Sequence, residues 1–334
     1  MTFADHPAAP AHSAAHSAPD RGAAEPPVTL AVLTYRRPGD LAAILPMLLE
    51  QARSVANHCD ILVVDNDAAG EGAALAAGFD DLLIRSVVEA HPGIAAARNR
   101  AFDETAGSDL LVFIDDDERP CADWLSQLLA TFERTHATGV VGPVISEYEK
   151  APDEWITKGR FFVRRRLPTG THVDVAATNN LMLNMAMVRS MGIRFDERFG
   201  ITGGSDTLFT RQIIKGGGQL VWCAEAVVVD MVPASRLTRD WVLRRAFRSG
   251  NGWSATSVVL ADSWRERLFL RLRLTLQGLV RVLGGLTRAA LGVLMRSVGQ
   301  RARGLRTIAR GLGMISGAYG FVYAEYKRKK APNS

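Results

Sequence analysis

The stretch DLLVFIDDDE, residues 109–118, decides the fold class, because an apolar strand runs directly into four consecutive acids. Two earlier stretches, VTLAVLTY (28–35) and DILVVDND (60–67), also end in polar residues after an apolar run, and LLIRSVVE (82–89) is a further predicted strand. Continuous apolar strands of this length are typical of a parallel sheet that is buried on both faces. The stretch and its neighbours therefore predict such a sheet.

Segments with helical spacing alternate with these strands. Helices are predicted over 38–52, 93–105 and 122–135, and further strands over 139–145 and 219–230. The alternation predicts an α/β fold with helices on both faces of the sheet. In such folds the ligand lies beyond the carboxyl ends of the strands. The candidate site residues are therefore the polar clusters Thr34–Arg37, Asp65–Asp67 and Asp115–Glu118.

The acid cluster at 115–117 indicates cation chemistry. Carboxylates in one turn can share Mg²⁺ or Mn²⁺, which prefer oxygen ligands and take further ligands from substrate phosphates. The cluster therefore suggests a nucleoside diphosphate substrate, and a solvated acidic turn is the alternative. Neither a GxGxxG nor a P-loop motif follows the first strand, which argues against a dinucleotide dehydrogenase and a P-loop kinase.

Composition bounds the class of protein. The 334 residues (36.2 kDa) are 47% apolar and 22% charged, as in globular proteins, which excludes a disordered or fibrous chain. Three cysteines without a CxxC pair exclude a disulfide scaffold, argue against structural zinc and favour a reducing cytoplasm. Residues 1–27 hold nine Ala and five Pro without an apolar run, which predicts a disordered arm and no signal peptide.

Five stretches in order resemble glycosyltransferase family 2, which has the GT-A fold, a mixed α/β sheet flanked by helices. They are LTYRRP (33–38), VVDND (63–67), HPGIAAARNRA (91–101), FIDDDE (113–118) and FGITGGSDTLFTRQ (199–212). The segment at 221–251 resembles more closely the subgroup named for succinoglycan-biosynthesis glucosyltransferases. Members of that subgroup add a sugar to a lipid-linked exopolysaccharide intermediate at the cytoplasmic membrane face.

The resemblance implies a role for each matching residue. Residues implied to hold the nucleotide-sugar donor are Thr34, Tyr35, Arg37, Asp65, Asp67, Arg98 and Asp115. Asp115 and Asp117 are implied to bind the Mg²⁺ or Mn²⁺ ion, and Asp206 to act as general base in an inverting transfer. The alternative for Asp206 is a helix N-cap, a role that Ser205 could fill instead.

Two departures from the family pattern bear on activity. Ser205 stands where the family usually has Glu, and Asp230-Met231 stands where it often has a Glu-His pair. Methionine is a soft ligand and cannot replace histidine on Mg²⁺ or Mn²⁺. Three readings stay open: two Asp with the pyrophosphate hold the metal, Asp230 helps, or metal dependence is weaker. An inactive relative that acts as a binding or scaffold protein is the alternative function.

Three further groups are weaker candidates. Arg244 and Arg248, four residues apart on a helix predicted over 237–252, could clamp a pyrophosphate or form a solvated or lipid-facing stripe. Asn179 and Asn180 fall where the family places an acceptor-side loop. Arg164–Arg166 are predicted to form an exposed face rather than a site.

The C-terminal region differs in charge from the rest of the chain. Residues 264–334 hold 15 Lys and Arg and two acids, a net of +13, whereas the other 263 residues hold 25 basic and 33 acidic side chains, a net of −8. We divide the chain into the arm (1–27), a GT-A domain (28–252) and a basic amphipathic helical region (253–334). Lys327–Lys330 add a basic end to that region.

The basic region is predicted to lie on an anionic membrane surface. Its longest uncharged run, 311–324, has 14 residues, whereas a spanning helix needs about 20. Arg281, Arg288 and Arg296 recur about every seven residues between apolar stretches, as in helices that lie in the membrane plane. A transmembrane hairpin and a dimerisation module, which would make a homo-oligomer, stay open. The apolar spacing and the lack of a nucleic-acid motif argue against a nucleic-acid partner.

Together these features predict an inverting glycosyltransferase that moves a hexose, glucose from UDP-glucose, onto a lipid-linked saccharide. The predicted pathway class is exopolysaccharide or cell-surface glycan biosynthesis. The predicted location is the cytoplasmic face of the inner membrane, with peripheral attachment.

Overall fold

The structure is a computed structural model that describes residues 25–200 and 203–321. Residues 1–24 of the predicted disordered arm and the basic end Lys327–Lys330 lie outside the described residues. Strands in the described part are β1 (Val28–Thr34), β2 (Cys59–Asp65), β3 (Ile84–Val88), β4 (Leu110–Asp115), β5 (Glu118–Pro120), β6 (Gly139–Val141), β7 (Val144–Tyr148), β8 (Asn180–Asn184), β9 (Leu220–Trp222) and β10 (Val228–Val232).

Helices surround these strands. They are α1 (Pro38–Ser54), α2 (Glu71–Ala77), α3 (Ile94–Glu104), α4 (Trp124–Thr135), α5 (Glu154–Gly159), α6 (Met185–Ser190), α7 (Ser205–Lys215), α8 (Arg239–Val259), α9 (Trp264–Leu294) and α10 (Val298–Ala318). Short 3₁₀ helices cover Glu197–Phe199 and Ala234–Arg236.

The main sheet has seven strands in the order β3-β2-β1-β4-β8-β6-β9. Strand β8 runs antiparallel to both of its neighbours, and every other pair in this sheet is parallel. The alternation of strands and helices predicted a parallel sheet and did not reveal β8. The mixed sheet flanked by helices that the family resemblance implied is confirmed.

A second sheet has three strands in the order β5-β10-β7, and its strand β5 follows directly after β4 of the main sheet. Two segments predicted as single strands, 139–145 and 219–230, each contribute one strand to each sheet, so that prediction is wrong in both places. At Gly142 a Cβ atom would stand 2.1 Å from the Ala226 carbonyl oxygen, and Pro143 has no N–H to continue a ladder. The second sheet pairs Asp230 with Glu118 and thereby brings two acids together.

Apolar side chains fill the space on both faces of the main sheet. Helices α1 and α4 bury Leu41, Leu45 and Trp124 on one face. Helices α3 and α7 bury Phe102 and Phe209 on the other, within a cluster of phenylalanine rings. Burial of large side chains on each face is worth roughly 1.5–3 kcal/mol per residue. This packing fixes the strand ends that carry the site.

The C-terminal helices pack tightly onto the rest of the chain. Helix α8 continues through residues 252 and 253, the predicted domain boundary. A Cβ atom at Gly313 of α10 would lie 2.0 Å from the Phe247 carbonyl oxygen of α8, so the two backbones touch. Ala302 of α10 joins the same apolar cluster as Trp155 of α5. Among the described residues no helix has both the length and the apolar character needed to cross a membrane.

Candidate active site

A cleft of about 640 Å³ opens at the ends of β1 and β4. Its walls come from these strand ends, the first turns of α3 and α7, strand β10 and helix α8. A volume of this size lies within the range of small-molecule sites, about 300–1,000 Å³. The cleft occupies the edge of the sheet at which the strand ends predicted a site. Of the predicted site residues it brings together Thr34, Tyr35, Arg37, Arg98, Asp115, Asp117 and Asp206.

A network of hydrogen bonds fixes the turn after β4. Thr34 Oγ1 donates to Asp116 Oδ2 at 2.9 Å, and Arg37 Nη1 donates to Asp116 Oδ1 at 2.9 Å. The same Arg37 nitrogen lies 3.0 Å from Asp117 Oδ2. Arg236 Nη2 donates to that Asp117 oxygen at 3.1 Å. Asp116 therefore orients the turn, while Asp117 is held at the cleft surface between two guanidinium groups.

Burial and mutual repulsion perturb the acids of this turn. Burial, followed by the charge of Asp117, raises the pKa of Asp115 to about 7 against the opposing effect of Arg98. Burial raises the pKa of Asp116 to about 6, although Arg37 opposes the change. Burial and the charge of Asp115 raise the pKa of Glu118 well above its usual value. Crowded carboxylates of this kind are stabilised in the ionised form by a nearby cation.

Asp65 and Asp67 do not line the cleft. Asp65 Oδ1 accepts from the Asp67 backbone N–H at 3.0 Å, and Asp65 Oδ2 accepts from the N–H groups of Gly72 and Ala73 at 2.7 and 3.1 Å. The Asp65 carboxylate therefore closes the loop after β2 and satisfies the start of α2. Between them, Asn66 does line the cleft. The Asn66 amide is held by the neighbouring loop, because its Nδ2 atom donates to the Glu89 and His91 carbonyl oxygens at 2.9 and 2.7 Å and its Oδ1 atom accepts from the Gly93 backbone N–H at 3.0 Å.

Arg98 lies buried at the cleft wall with a neutral partner. Its Nη1 atom donates to Ser205 Oγ at 2.8 Å, and its guanidinium lies 5.3 Å from the Phe195 ring centroid. Ser205 is the residue that departs from the Glu of the family pattern. The hydroxyl keeps a contact with Arg98 but does not neutralise it, so the arginine charge stays available to the cleft and to Asp115.

Asp206 lies in the first turn of α7 and lines the cleft. Gly204, with φ at +94°, occupies the N-cap position, and no side chain caps this helix. The alternative in which Asp206 or Ser205 is the N-cap is therefore wrong. Asp206 Oδ1 accepts from the Thr207 backbone N–H at 2.6 Å, which fixes the orientation of the carboxylate. In the part of the chain that the structure describes, no hydrogen bond or ion pair joins the Asp206 carboxylate to the acid cluster after β4.

Two lining residues, Glu118 and Asn179, were named from the sequence only as members of the wider groups Asp115–Glu118 and Asn179–Asn180. Glu118 accepts from the Asp115 backbone N–H at 3.3 Å and from Asn179 Nδ2 at 2.5 Å. Asn179 therefore lies in the cleft, whereas its neighbour Asn180 is structural. The Asn180 amide accepts from Trp124 Nε1 at 2.9 Å and donates to two backbone carbonyls. The position of Glu118 at the end of the DDDE run indicated a place at the site. Asn179 is brought there by its hydrogen bond to Glu118, which is 61 residues away in the sequence.

Arginines from later in the chain also line the cleft. Arg164 pairs with Asp230, so the prediction of an exposed face is wrong for this residue. Arg236 bridges Asp117 at 3.1 Å and Asp230 at 3.9 Å. Met231 lies beside Asp230 in β10, with its side chain 39% exposed and outside the cleft lining. Pairing within the second sheet brings Asp230 here, and Arg164 reaches it from the irregular segment after α5, so no local pattern revealed this contact.

Helix α8 presents a different arginine pair from the predicted one. Arg245 and Arg248 line the cleft, whereas Arg244 pairs with Asp240 at 2.9 Å on an exposed face. The stacked rings of Phe162 and Trp241, with centroids 6.0 Å apart, lie in the same wall, and Arg245 lies over both. The packing of α8 on α10 determines which face of α8 is turned towards the cleft. The spacing of arginines along the helix could not predict that face.

The arrangement is suited to a phosphorylated ligand. Carboxylates at the end of β4 and guanidinium groups from five other segments share one cleft, so cations and anions can both be bound there. Within 25–200 and 203–321, no three His, Cys, Asp or Glu side chains are grouped to hold a metal by themselves. A metal ion bound at Asp115 and Asp117 would therefore need ligands from a substrate.

Comparisons with known proteins identify the family. The model of "Glycosyl transferase family 2" matches residues 29–191. Over 229 residues the chain is 34% identical to the succinoglycan biosynthesis protein ExoM of Rhizobium meliloti (strain 1021), covering 67% of this chain and 72% of that protein.

Two solved structures of TarS from S. aureus share the fold. TarS 1–349 has a TM-score of 0.50 at 13% identity, covering 83% of this chain and 89% of that one. A second TarS structure has a TM-score of 0.51 at 15% identity, and the match covers 75% of this chain and 43% of the TarS chain. These neighbours are GT-A glycosyltransferases, and at such low identity the likeness concerns the fold alone. On its match to the family model and its identity to the curated relative, the chain belongs to glycosyl transferase family 2 and is a glycosyltransferase.

Proposed function

We propose that this enzyme is an inverting, metal-assisted glycosyltransferase that transfers a hexose, glucose from UDP-glucose, to a lipid-linked saccharide. The observation that carries the proposal is the convergence of Asp115, Asp117 and Asp206 on one cleft. Inverting transfer needs a base for the acceptor hydroxyl and neutralisation of the leaving diphosphate. A single cleft with a carboxylate at a helix start and an acid–arginine cluster supplies both.

The residues present fit a hard divalent cation. Asp115 and Asp117 offer carboxylate oxygens in one turn, and their crowding in a largely buried place favours a positive ion beside them. Bound there, Mg²⁺ or Mn²⁺ would neutralise charge on the diphosphate oxygens. Arg37 and Arg236 hold the Asp117 carboxylate in place by hydrogen bonds. The Asp230 carboxylate, 3.9 Å from Arg236, keeps that arginine near Asp117.

The side chains of the cleft have separable tasks in this mechanism. Thr34, Tyr35 and Asn66 lie where the nucleoside would bind, at the ends of β1 and β2. Arg245 and Arg248 provide positive charge for the diphosphate as it leaves. Asp206 accepts the proton of the acceptor hydroxyl as that oxygen attacks the anomeric carbon with inversion, a contribution of about 10²–10⁴-fold.

The acceptor and pathway are inferred from the curated relative and the surface. The relative is named a succinoglycan biosynthesis protein, which supports exopolysaccharide or cell-surface glycan biosynthesis for this enzyme. Leucine side chains along α9 are exposed, and the region carries a net positive charge. Peripheral attachment to the cytoplasmic face of an anionic membrane would place such an enzyme beside a lipid-linked saccharide.

Calorimetric titration of UDP, with and without Mn²⁺, tests the donor site. Asp117→Asn should lose most of the Mn²⁺-dependent increase in UDP affinity, because one anionic ligand is removed while side-chain shape is kept. Asp123→Asn is the matched control, because Asp123 is exposed and lies outside the cleft lining on the same stretch of chain. Unchanged UDP–Mn²⁺ affinity in Asp117→Asn would contradict the metal assignment.

Product analysis separates an active enzyme from a binding protein. Wild-type protein with UDP-glucose, Mn²⁺ and a lipid extract should yield a radiolabelled lipid-linked saccharide, and UDP-galactose and UDP-GlcNAc serve as competing donors. Tight UDP binding without transfer or donor hydrolysis would favour the scaffold alternative. Transfer from another sugar nucleotide would keep the reaction class and replace glucose.

A further inference from the structure

A second cavity of about 710 Å³ lies between α7 and the helices α8, α9 and α10. Four arginines from three helices line it: Arg211 of α7, Arg273 and Arg281 of α9, and Arg310 of α10. We call this cavity the basic groove. It shares no lining residue with the catalytic cleft.

The charges of the basic groove are not balanced by its acids. Lys215 pairs with Asp262, and Glu266 accepts from the Asp262 backbone N–H, so these acids are engaged at one end. Asp174 is the remaining lining acid. Within the described residues, the ion pairs join none of the four groove arginines to a carboxylate. The groove therefore keeps an excess of positive charge that an anion would neutralise.

Contacts of the individual arginines agree with an anion site. Arg211 donates to the hydroxyls of Thr256 and Ser257 at 3.3 and 2.9 Å, which aim the guanidinium without neutralising it. Desolvation lowers the pKa of Arg211. Desolvation, with the like charge of Arg281, also lowers the pKa of Arg310. Arginine forks match phosphate geometry, so a phosphate group would relieve this crowding.

Apolar side chains share the groove with the arginines. Leu270, Leu274 and Met314 line it, and Arg211 lies 4.6 Å from the ring centroid of Trp253. A purely ionic ligand would leave these surfaces uncovered, whereas an amphiphile would cover both kinds of surface. The end of this chain is excluded as the occupant by its own charge, because Lys327–Lys330 have the same sign as the groove.

The basic groove and the cleft residue Asp206 are connected by one helix, α7. Asp206 in the cleft and Arg211 in the groove lie on α7, about 7.5 Å apart along the helix axis and about 140° apart around it. Arg248 and Trp253 are related in the same way on α8. One molecule that passes around α7 could place its phosphate in the groove and a short saccharide at Asp206.

We propose that the basic groove binds the phosphate of the lipid that carries the acceptor saccharide. The inference rests on the proposed function, since it needs a lipid-linked acceptor for the same enzyme. It adds a second anion site, separate from the donor cleft, that selects acceptors by a lipid phosphate ester. The phosphate of a bilayer phospholipid has related chemistry, and the experiment distinguishes the two sources.

The test compares two double variants of the full chain. Arg273→Gln with Arg310→Gln removes two charges from the groove. Arg271→Gln with Arg301→Gln removes two exposed charges from the same helices outside it and is the matched control. Geranyl diphosphate is the probe, titrated calorimetrically with the donor cleft saturated by UDP and Mn²⁺ and again without them. The concentration of the lipid extract that gives half-maximal transfer is measured on the same proteins and serves as KM for the acceptor.

The groove variant should bind geranyl diphosphate at least tenfold more weakly than wild type and raise KM for the acceptor. The control should change neither value, and UDP affinity should stay constant in both. Equal weakening in both variants, or equal affinity for inorganic pyrophosphate, would overturn the proposal. Displacement of the probe by phosphatidylglycerol vesicles would assign the groove to bilayer lipid and also overturn it. Because the two variants are compared with and without UDP, failure of the donor site stays distinguishable from failure of the groove.

Discussion

Adjacent acids in the turn after β4 have different partners and therefore different tasks. Both oxygens of Asp116 are engaged by Thr34 and Arg37, so this carboxylate positions the turn. The Oδ2 atom of Asp117 accepts hydrogen bonds from both Arg37 and Arg236, which leaves the Oδ1 atom for a ligand. Three identical letters in the sequence could not distinguish these tasks, because the partners come from other segments.

Asp206→Asn should keep donor affinity and lose transfer by roughly 10²-fold or more, because the amide keeps the shape of the side chain but cannot accept a proton. Initial rates at saturating UDP-glucose, together with calorimetric UDP affinity, measure the two effects separately. Asp206→Glu serves as the conservative variant and should retain more activity than Asp206→Asn. Wild-type turnover in Asp206→Asn would remove Asp206 from the catalytic role.

Residues that directly follow an apolar strand were predictable as site residues. Thr34, Arg37, Asp115 and Asp117 lie in the cleft because strand ends are encoded locally and meet at one edge of the sheet. Asp65 follows the same rule, yet its carboxylate is used by the backbone of its own loop. A pattern shows where a side chain is placed, but competition for its hydrogen bonds depends on the folded loop.

At the level of elements, helix packing in the C-terminal region depends on glycine. In α9, Gly278, Gly285 and Gly292 recur every seven residues and face α10. A Cβ atom at Gly285 would stand 2.8 Å from the Gly304 carbonyl oxygen and 2.9 Å from the Ile308 backbone nitrogen. The sequence predicted helices in this region but not the glycine face of α9. The arginines recur with a similar spacing, and that spacing was interpreted as a charged face for a membrane.

Gly285→Ala and Gly284→Ala should have opposite effects on thermal stability. A methyl group at residue 285 forces the α9 and α10 backbones apart, which costs about 1–3 kcal/mol. At residue 284 nothing lies within 4 Å, so alanine should add roughly 0.5–1 kcal/mol through helix propensity. Thermal unfolding followed by circular dichroism measures both. Equal shifts in the same direction would show that the close approach of the helices is absent.

At the level of the whole molecule, charge and apolar exposure coincide on the C-terminal helices. The sequence places a net of +13 in residues 264–334 and −8 in the remainder. Helix α9 leaves Leu272, Leu276 and Leu283 at 60%, 63% and 62% exposure, on a face turned away from α10. A soluble monomer rarely leaves a long apolar face exposed, and the combination favours a membrane surface.

Leu276→Gln with Leu283→Gln should abolish flotation with phosphatidylglycerol vesicles, because the apolar face no longer enters the bilayer while the exposed positions tolerate polar side chains. The Leu276→Met, Leu283→Met protein is the control and should float like wild type. High salt and alkaline carbonate should release the wild type. Resistance to carbonate, or equal flotation with neutral vesicles, would contradict in-plane attachment. Absence of flotation in the wild type would favour an oligomer instead.

The cleft is assembled from segments that are far apart along the chain. Residues up to Glu118 supply the acid cluster, whereas Asp206, Asp230 and Arg248 arrive more than 80 residues later. Any molecule that touches both groups binds only the folded chain, so its binding free energy is added to the free energy of unfolding. At a donor concentration 100 times the dissociation constant, that addition is about 2.7 kcal/mol. We therefore expect a bound sugar-nucleotide donor to make the folded enzyme more resistant to heat and to proteolysis.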